Sequence, residues 1–323
     1  MSIQPLIPTS PVTTLLSETA EAMSLGATMY VPILHPAVRD IVTGVKYPNL
    51  KSAVLCLEDA LHVSDIDRGL HLLGRLMDDL DGSAKGAGHP WLFVRPRNLD
   101  MARVICGLHG IGRVDGLVVP KITIGQVEDW WQLAGDADMR LMPTLESSWV
   151  FDPGALSDFA AVLDAQSRHR LIALRVGGND LLATLQLRRV RGETIYDGPL
   201  AWGLSQIMCQ LGSRGYPLTA PVFDVLDDSV TLARECARDA DFGFVGKTAV
   251  HPDQIDIIHQ GFATCRQDVA LAHQTLMPGL SAVSRAAGMM LEPATHRGWA
   301  KRILARADVY GIVGDKEQMS IQA

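Results

Sequence analysis

The amino-acid sequence predicts an α/β fold, a (β/α)₈ TIM barrel with a C-terminal helical extension. Eight short apolar segments alternate along the chain with segments of helical periodicity, which is the order of a parallel barrel. Charged residues follow the apolar segments instead of preceding them, as expected when chemistry lies at the C-terminal face of the strands. No glycine-rich loop follows the first segment, which disfavours a doubly wound dinucleotide-binding sheet.

The predicted strands are mostly continuous apolar runs, of the kind that a parallel sheet buries on both faces. In chain order they are Ala27–Ile33, Ser52–Leu61, Trp91–Asn98, Gly116–Ile122, Leu141–Leu145, Leu171–Val176, Tyr216–Asp224 and a short strand within Phe242–Ile255. Beyond them we predict three further helices, Gln267–Leu276, Leu280–Met290 and Arg297–Ala307. The sequence therefore predicts a catalytic barrel domain over residues 1–260 and a helical extension over residues 261–323, which serves as a lid or an oligomer contact.

Composition narrows the classes of function. The chain has 323 residues, 47% of them hydrophobic, and a formal net charge of −7 without a basic cluster, which disfavours nucleic acid as a partner. No apolar run is long enough to span a membrane, and the N-terminal stretch lacks the pattern of a secretory signal. The five cysteines are scattered without CxxC spacing, which is typical of thiols in a reducing compartment. We therefore expect a cytoplasmic protein that acts on a small molecule.

Two carboxylates follow neighbouring predicted strands. Glu146 comes directly after the fifth strand, and Asp180 comes shortly after the sixth. Because the C-terminal ends of parallel strands meet at one mouth, we expect both side chains to reach it. Hard oxygen ligands without histidine or cysteine suit Mg²⁺ better than zinc. The alternative role for Glu146 is to cap the following helix, and for Asp180 to cap a turn.

Further charged residues end the second, third and fourth strands. They are Glu58, Asp59, Arg95, Arg97 and Lys121. Acids that face cations can hold a divalent ion together with an anionic substrate, and an arginine fork can polarise a carbonyl. Such a set stabilises the enolate that develops when a carbon–carbon bond beside a carbonyl breaks or forms. Glu58 and Asp59 are consecutive, so strand alternation predicts that they point in opposite directions.

Six short sequence features occur in an order that carries a family resemblance. They are LEDA at Leu57–Ala60, FVRPRN ending at Asn98, VVPK at Val118–Lys121, Glu146 after the fifth strand, GGND at Gly177–Asp180, and GFVGKTAVHPDQI at Gly243–Ile255. The last one, with the pattern GKxxxHPxQ, is the most specific. Together they resemble the HpcH/HpaI aldolase/citrate lyase family, in its citrate lyase beta-subunit-like branch, over most of the chain.

The resemblance implies a TIM barrel, Mg²⁺, and cleavage or condensation of a carbon–carbon bond beside a carbonyl. As substrate it implies a 3-hydroxyacyl-CoA thioester, such as a malyl-, citramalyl- or citryl-type ester, or in the other branch a 4-hydroxy-2-keto acid. Glu146 and Asp180 match the metal ligands of the family. Arg95, Glu58 and Asp59 match its catalytic residues, and Lys247 and His251 match its last motif. We also predict Glu292 as a catalytic residue, and Arg97, Lys121, Lys247 and His251 as substrate-binding residues.

The sequence departs from the family pattern at two places that bear on the substrate. His35 stands where the family has an arginine on the CoA or substrate side, which favours a keto-acid aldolase that acts without CoA. Met290–Pro293 reads MLEP, so Glu292 replaces an aspartate of the thioester lyases, and His296 is an alternative base. The degenerate MLEP motif also leaves open a non-catalytic or assembly subunit that keeps the metal site.

Two regions outside these motifs carry predictions of their own. Arg188, Arg189 and Arg191 form either an anion-binding loop or a solvated basic loop. The C-terminal helices carry apolar Leu, Met and Trp faces that must be buried, which predicts a homo-oligomer, with a trimer or hexamer as candidates.

Overall fold

The computed structural model describes residues 18–81, 88–279 and 281–314. Its contacts divide the chain into two compact units. The barrel unit is Ser24–Phe262, and the terminal unit holds residues 18–23 and 263–314 of the described chain. The first 17 residues of the predicted barrel domain and residues 315–323 of the predicted extension lie outside the described residues. The role of the extension as a lid or an oligomer contact stays a prediction.

Eight parallel strands form the sheet of the barrel unit. They are β1 (Ala27–Pro32), β2 (Ser52–Cys56), β3 (Trp91–Arg95), β4 (Gly116–Val119), β5 (Arg140–Leu145), β6 (Leu174–Val176), β7 (Leu218–Thr219) and β8 (Lys247–Ala249). Neighbours in the sheet follow the order β7-β6-β5-β4-β3-β2-β1-β8. A bridge between Ala220, just after β7, and Lys247 of β8 joins the two ends, and the Ala220 amide donates to the Gly246 carbonyl at 2.8 Å. The sheet is therefore closed, which confirms the predicted barrel.

Helices connect the strands of the barrel unit. They are α1 (Val38–Val42), α2 (Ile66–Leu80), α3 (Leu99–Cys106), α4 (Val127–Asp136), α5 (Pro153–Asp164), α6 (Gly178–Thr184), α7 (Leu200–Leu211), α8 (Ser229–Phe242) and α9 (Gln254–Phe262). In α2, apolar residues recur every three to four positions, and Leu73, Met77 and Leu80 of this stripe are buried. The start of α3 is fixed by the Asn98 side chain, which accepts a hydrogen bond from the Met101 amide at 2.9 Å.

The interior of the barrel is more polar than the aliphatic packing typical of this fold. Thr28, Ser52, Thr144, Arg175 and Thr219 are all buried within its strands. The strand register pairs Arg175 of β6 with Thr144 of β5 and with Thr219 of β7. Buried polar groups are costly unless they are hydrogen-bonded, so this layer needs partners from the protein, from water or from a ligand.

The terminal unit has a small core of its own. Its elements are β9 (Thr264–Cys265), α10 (Arg266–Leu276), β10 (Ser284–Ala286), β11 (Met289–Leu291), α11 (Pro293–Tyr310) and β12 (Ile312–Val313), and residues 18–23 are helical. Ala272 of α10 packs with Ala300 and Ile303 of α11. The predicted helices Gln267–Leu276 and Arg297–Ala307 lie within α10 and α11. None of the helices in the described ranges is long and apolar enough to cross a lipid bilayer.

Residues 284–291 form a β-hairpin, so the prediction of a helix over Leu280–Met290 is wrong. Strands β10 and β11 pair in antiparallel orientation. Ala287 and Gly288 between them have φ angles of 48° and 78°. Two consecutive positive φ angles are the geometry of a two-residue type I′ turn, which a helix cannot contain. Leu280 itself lies outside the described residues.

Candidate active site

A pocket of about 390 Å³ lies at the C-terminal ends of the barrel strands. Residues at or after the ends of β2, β3, β5 and β6 line it, together with Tyr30 of β1 and Thr248 of β8. The charged residues in this lining are Asp59, Arg95, Glu146, Arg175 and Asp180. The structure therefore brings several predicted site residues into one cavity and adds Arg175, which was not predicted.

Arg95, the last residue of β3, lies at the centre of the charges in the pocket. Its Nη2 is 2.8 Å from Glu58 Oε2, 3.0 Å from Glu146 Oε1 and 3.5 Å from Asp59 Oδ2. Burial alone would lower the pKa of Arg95, but the nearby carboxylates of Glu146 and Glu58 raise it above its ordinary value. The guanidinium therefore stays charged at any physiological pH, and it can donate to a substrate oxygen in the pocket.

Glu146 follows β5 directly and is almost completely buried, with 4% of its surface exposed. Burial raises its pKa to about 7; Arg95 opposes this shift, and Asp180 adds to it. The Lys121 amide donates to Glu146 Oε1 at 2.7 Å, so Glu146 is oriented by a neighbouring strand end instead of capping the next helix. A Cβ at Gly177 would lie 2.4 Å from the Glu146 Cβ, so the glycine makes room for this carboxylate.

Asp180 lies in the first turn of α6, directly after β6, and lines the same pocket as Glu146. Two carboxylates with room for water are a common binding set for Mg²⁺. Thr144 adds a buried hydroxyl that lines the pocket and has no hydrogen-bond partner among the described residues. A group of three or more His, Cys, Asp and Glu ligands does not occur in the described ranges. Glu146 and Asp180 therefore fit a hydrated Mg²⁺ by their donor chemistry.

Glu58, Asp59 and Lys121 surround Arg95 at the mouth. Lys121 Nζ is 2.8 Å from Glu58 Oε1 and 3.5 Å from Asp59 Oδ1. The two acids do not point in opposite directions as strand alternation predicts, because β2 ends at Cys56 and the chain then leaves the extended conformation. The residues Arg95, Glu58, Asp59, Glu146 and Lys121 form the mouth cluster.

Arg97 lies outside the lining of the pocket. Its Nη2 donates to the backbone carbonyl of Glu58 at 3.2 Å and to that of Leu61. The guanidinium therefore holds the loop that follows β2, and through it the acids of the mouth cluster. Its predicted contact with substrate stays a prediction without support from this geometry.

Lys247 of β8 belongs to a second group of charges, outside the lining of the pocket. Its Nζ is 2.8 Å from Glu235 Oε1 and 2.7 Å from Asp239 Oδ2, and all three side chains are fully buried. Arg189 forms an ion pair with Glu235 at 2.5 Å, and the Tyr196 hydroxyl donates to Asp239 at 2.6 Å. These five residues form the buried cluster. The position of Lys247 supports a structural role instead of the predicted contact with substrate.

His251 and Glu292 are the remaining predicted site residues, and His251 does not line the pocket. His251 follows β8, and its Nδ1 accepts a hydrogen bond from the Asp253 amide at 3.3 Å. Glu292 belongs to the terminal unit, where it precedes α11 and its Oε2 accepts from the Thr295 hydroxyl at 3.3 Å. The Glu292 amide donates to His296 Nδ1 at 3.1 Å. The substrate-binding role of His251 and the roles of Glu292 and His296 as bases stay predictions.

The arginines of the predicted anion-binding loop mostly have acidic partners. Arg189 lies in the buried cluster, and Arg191 pairs with Asp227 at 2.8 Å on the surface. Arg188 is exposed and lines a smaller pocket of about 180 Å³. Anion binding by this loop stays a prediction.

Arg175 is the residue of the pocket that sequence reasoning missed. It lies in β6, within the apolar run Leu171–Val176, and is 1% exposed. An isolated charge inside a strand that is otherwise apolar was the available signal, because a charged side chain that must be buried needs a function or a partner.

Comparison with known proteins decides which family the chain belongs to. A family model described as "C-C_Bond_Lyase of the TIM-Barrel fold" matches residues 19–312. The chain belongs to this family. The predicted family resemblance, the barrel fold and the carbon–carbon lyase class of the enzyme are thereby confirmed.

Named relatives of this carbon–carbon bond lyase agree with the family. A (3S)-malyl-CoA thioesterase of Cereibacter sphaeroides is 25% identical over 224 residues, which are 68% of this chain and 72% of the relative. The citrate lyase subunit beta of Escherichia coli is 27% identical over 159 residues, 47% of this chain and 51% of the relative.

A solved structure supports the fold of this lyase. The protein CitE from Mycobacterium tuberculosis, in complex with magnesium, acetoacetate and coenzyme A, superposes with a TM-score of 0.64. The match covers 88% of this chain and 99% of the CitE chain at 19% sequence identity. At this identity the likeness extends to the barrel architecture and no further.

Proposed function

We propose that this carbon–carbon bond lyase depends on Mg²⁺, held by Glu146 and Asp180, and cleaves a hydroxyacyl-CoA thioester of the malyl, citramalyl or citryl type by a retro-aldol or retro-Claisen reaction. The observation that carries the proposal is the convergence of Glu146, Asp180 and Arg95 on one pocket at the C-terminal face of the barrel. A related malyl-CoA thioesterase and a structural neighbour with bound coenzyme A add support for the thioester.

The charges at the mouth support a divalent cation. Four acids, Glu58, Asp59, Glu146 and Asp180, share the pocket and its mouth with three cations, which are Arg95, Arg175 and Lys121. The surplus of negative charge and the burial of Glu146 account for its raised pKa, since they oppose its ionised form. A bound Mg²⁺ would supply positive charge that stabilises negative charge on a substrate oxygen.

The residues of the chain itself bind and orient the substrate in this proposal. Arg95 donates from its guanidinium to the carbonyl or carboxylate oxygen where negative charge develops. Lys121 holds Glu146 through its amide and Glu58 through its ammonium group, so the acids keep their positions during the reaction. The hydroxyl proton of the substrate needs a base, for which Glu292 and His296 remain the candidates.

A panel of malyl-, citramalyl- and citryl-CoA thioesters and 4-hydroxy-2-keto acids, assayed with purified protein and MgCl₂, tests the proposal. We expect turnover of a thioester that EDTA abolishes and that Glu146→Gln and Asp180→Asn each reduce by at least about a hundredfold. Glu128→Gln, which changes an exposed acid at the start of α4, is the matched control and should retain full activity. Full activity in Glu146→Gln would refute the metal site.

A keto-acid aldolase that acts without CoA is the second candidate. It is favoured by His35, whose Nδ1 accepts a hydrogen bond from the Ala37 amide at 3.1 Å, so this nitrogen is not available to a CoA anion. Turnover of a 4-hydroxy-2-keto acid without turnover of any thioester would select it. Tight Mg²⁺ binding without any turnover, together with a fixed partner chain, would instead select the non-catalytic subunit.

A further inference from the structure

Arg175 differs from the other charged residues of the pocket in what surrounds it. The side chain starts from β6, inside the barrel, and is 1% exposed. Its Nη1 donates to the Thr28 hydroxyl at 3.2 Å and to Met142 Sδ at 3.8 Å, and its Nη2 donates to the Thr248 hydroxyl. The guanidinium carbon also lies 5.4 Å from the centre of the Tyr30 ring. All of these partners are uncharged groups.

No carboxylate within the described ranges forms an ion pair with Arg175, whereas Arg95 in the same pocket pairs with three acids. An isolated charge inside a protein is costly, and buried charges are therefore nearly always paired. The phenol of Tyr30 supplies no negative charge, because burial raises its pKa further above the physiological range. Among the described residues Arg175 therefore has no carboxylate in direct contact, which leaves its guanidinium able to pair with an anionic group in the pocket.

The pocket gives an outside group access to this guanidinium. Arg175, Thr248 and Thr144 all line it, and the Thr144 hydroxyl is buried without a partner among the described residues. A guanidinium has five N–H donors, of which three serve Thr28, Met142 and Thr248. The two donors that remain are enough to hold one carboxylate.

We propose that Arg175 binds a carboxylate of the substrate, so that the substrate carries this carboxylate in addition to the oxygen atoms held at Glu146 and Asp180. Arg175 is then a specificity-determining residue, and among the proposed thioesters it selects the citryl type, which keeps a second free carboxylate in addition to the one on the hydroxyl-bearing carbon. The inference rests on the proposed function for the substrate oxygen atoms held at Glu146 and Asp180. The carboxylate bound by Arg175 is a separate claim.

Calorimetric titration with malate and with lactate, in MgCl₂, tests the inference, because these 2-hydroxy acids differ in the second carboxylate. We expect the wild-type protein to bind malate about tenfold or more tightly than lactate, since a hydrogen-bonded charge pair is worth about that factor. Arg175→Gln should remove this preference and leave lactate affinity within about twofold of the wild type. Arg170→Gln, which changes an arginine that does not line the pocket and pairs with Asp138 at 2.7 Å, is the matched control and should keep the preference.

Two further variants keep the outcome decisive. Arg175→Lys retains a charge but not the planar fork, so it should show a reduced preference for malate even if Arg175→Gln fails to fold. Asp180→Asn should weaken both acids while it keeps the ratio between them, which separates failure of the metal site from failure of Arg175. Equal binding of malate and lactate by the wild type, no binding of either at millimolar concentration, or an equal loss of both in the Arg175 variants would overturn the inference.

Discussion

The mouth cluster and the buried cluster use the same kinds of side chain in opposite ways. In the buried cluster, the side chains of Lys247, Glu235 and Asp239 are 0% exposed, and the amine lies within 2.8 Å of both acids. In the mouth cluster, Lys121 and Asp59 are 50% and 55% exposed, and one guanidinium is shared among three acids. The buried cluster is saturated and holds the fold together. The mouth cluster contains three acids and two cations, and this excess of negative charge favours the binding of a cation.

The largest expected difference between the clusters is in stability. Lys247→Met leaves buried Asp239 without a cation and Glu235 with Arg189 alone, and it should lower the free energy of unfolding by about 3–5 kcal/mol. Lys121→Met removes a half-exposed ammonium group and should cost less than about 1 kcal/mol, while activity falls. Urea unfolding of both variants measures the difference. Equal loss of unfolding free energy in both variants would contradict the distinction between a stabilising buried cluster and a binding mouth cluster.

Removal of the metal should affect the mouth cluster alone. At Mg²⁺ concentrations about a hundredfold above its dissociation constant, the wild-type protein should gain about 2.7 kcal/mol of stability over protein in EDTA. Glu146→Gln should lose this gain, because one of the two metal ligands is gone. Lys247→Met should keep the gain on its lower baseline. Thermal unfolding with and without EDTA checks this, and a gain that survives in Glu146→Gln would argue for metal binding elsewhere.

His259 provides a pH effect that belongs to neither cluster. Its Nε2 accepts a hydrogen bond from the Ala27 amide at 3.1 Å, and burial, assisted by Lys51, lowers its pKa to about 4. A lowered folded pKa means stability that is present above about pH 6.5 and is lost as the pH falls toward 4. We expect a loss of about 2 kcal/mol over this range, after allowance for its partial exposure.

His259→Gln isolates this pH effect. The variant should have lower stability at neutral pH but a shallower loss of stability between pH 6.5 and 4 than the wild type. Urea unfolding across this range measures both slopes. Identical slopes would show that the pH dependence comes from groups other than His259.

The smallest expected effect comes from Arg97, which acts on the mouth cluster through the backbone. Arg97→Gln removes the donations to the Glu58 and Leu61 carbonyls and should cost about 1 kcal/mol of stability. Because the loop carries Glu58 and Asp59, kcat should fall by less than about tenfold, with KM little changed. Arg103→Gln, at an exposed ion pair with Asp100, is the control. A large rise in KM would favour the predicted direct contact with substrate.

Alternation of apolar and helical segments was sufficient to predict the barrel, because a parallel sheet buries both faces and leaves a clear pattern. The pattern overestimated the lengths of the short strands: the apolar run Tyr216–Asp224 contains just the two residues Leu218–Thr219 of β7. It failed in the terminal unit, where the turn at Ala287 and Gly288 depends on backbone torsions. The spacing of the apolar residues there is compatible with a helix or with a β-hairpin. The φ angles of Ala287 and Gly288 permit the hairpin alone.

The position of a charged residue in the pocket was predictable where that residue ends a strand, as Arg95 does, or follows one closely, as Glu146 and Asp180 do, since strand ends converge whatever the details of packing. Lys247 was harder to place, because its partners Glu235 and Asp239 come from α8 and carry no motif. Arg175 was not predicted as a site residue, because its contacts are with residues of other strands across the barrel. Contacts of this kind are a property of the closed sheet and are not encoded in local spacing.

One residue of the mouth, Lys121, has a left-handed backbone, with a φ of 46°. This torsion directs its amide to Glu146 while its side chain reaches Glu58. The two tasks are therefore separable by chemistry: glycine adopts the same torsion freely and would keep the amide in place without the ammonium group. A substitution at position 121 can consequently change the charge beside the acids, while Glu146, the proposed metal ligand, keeps its orientation.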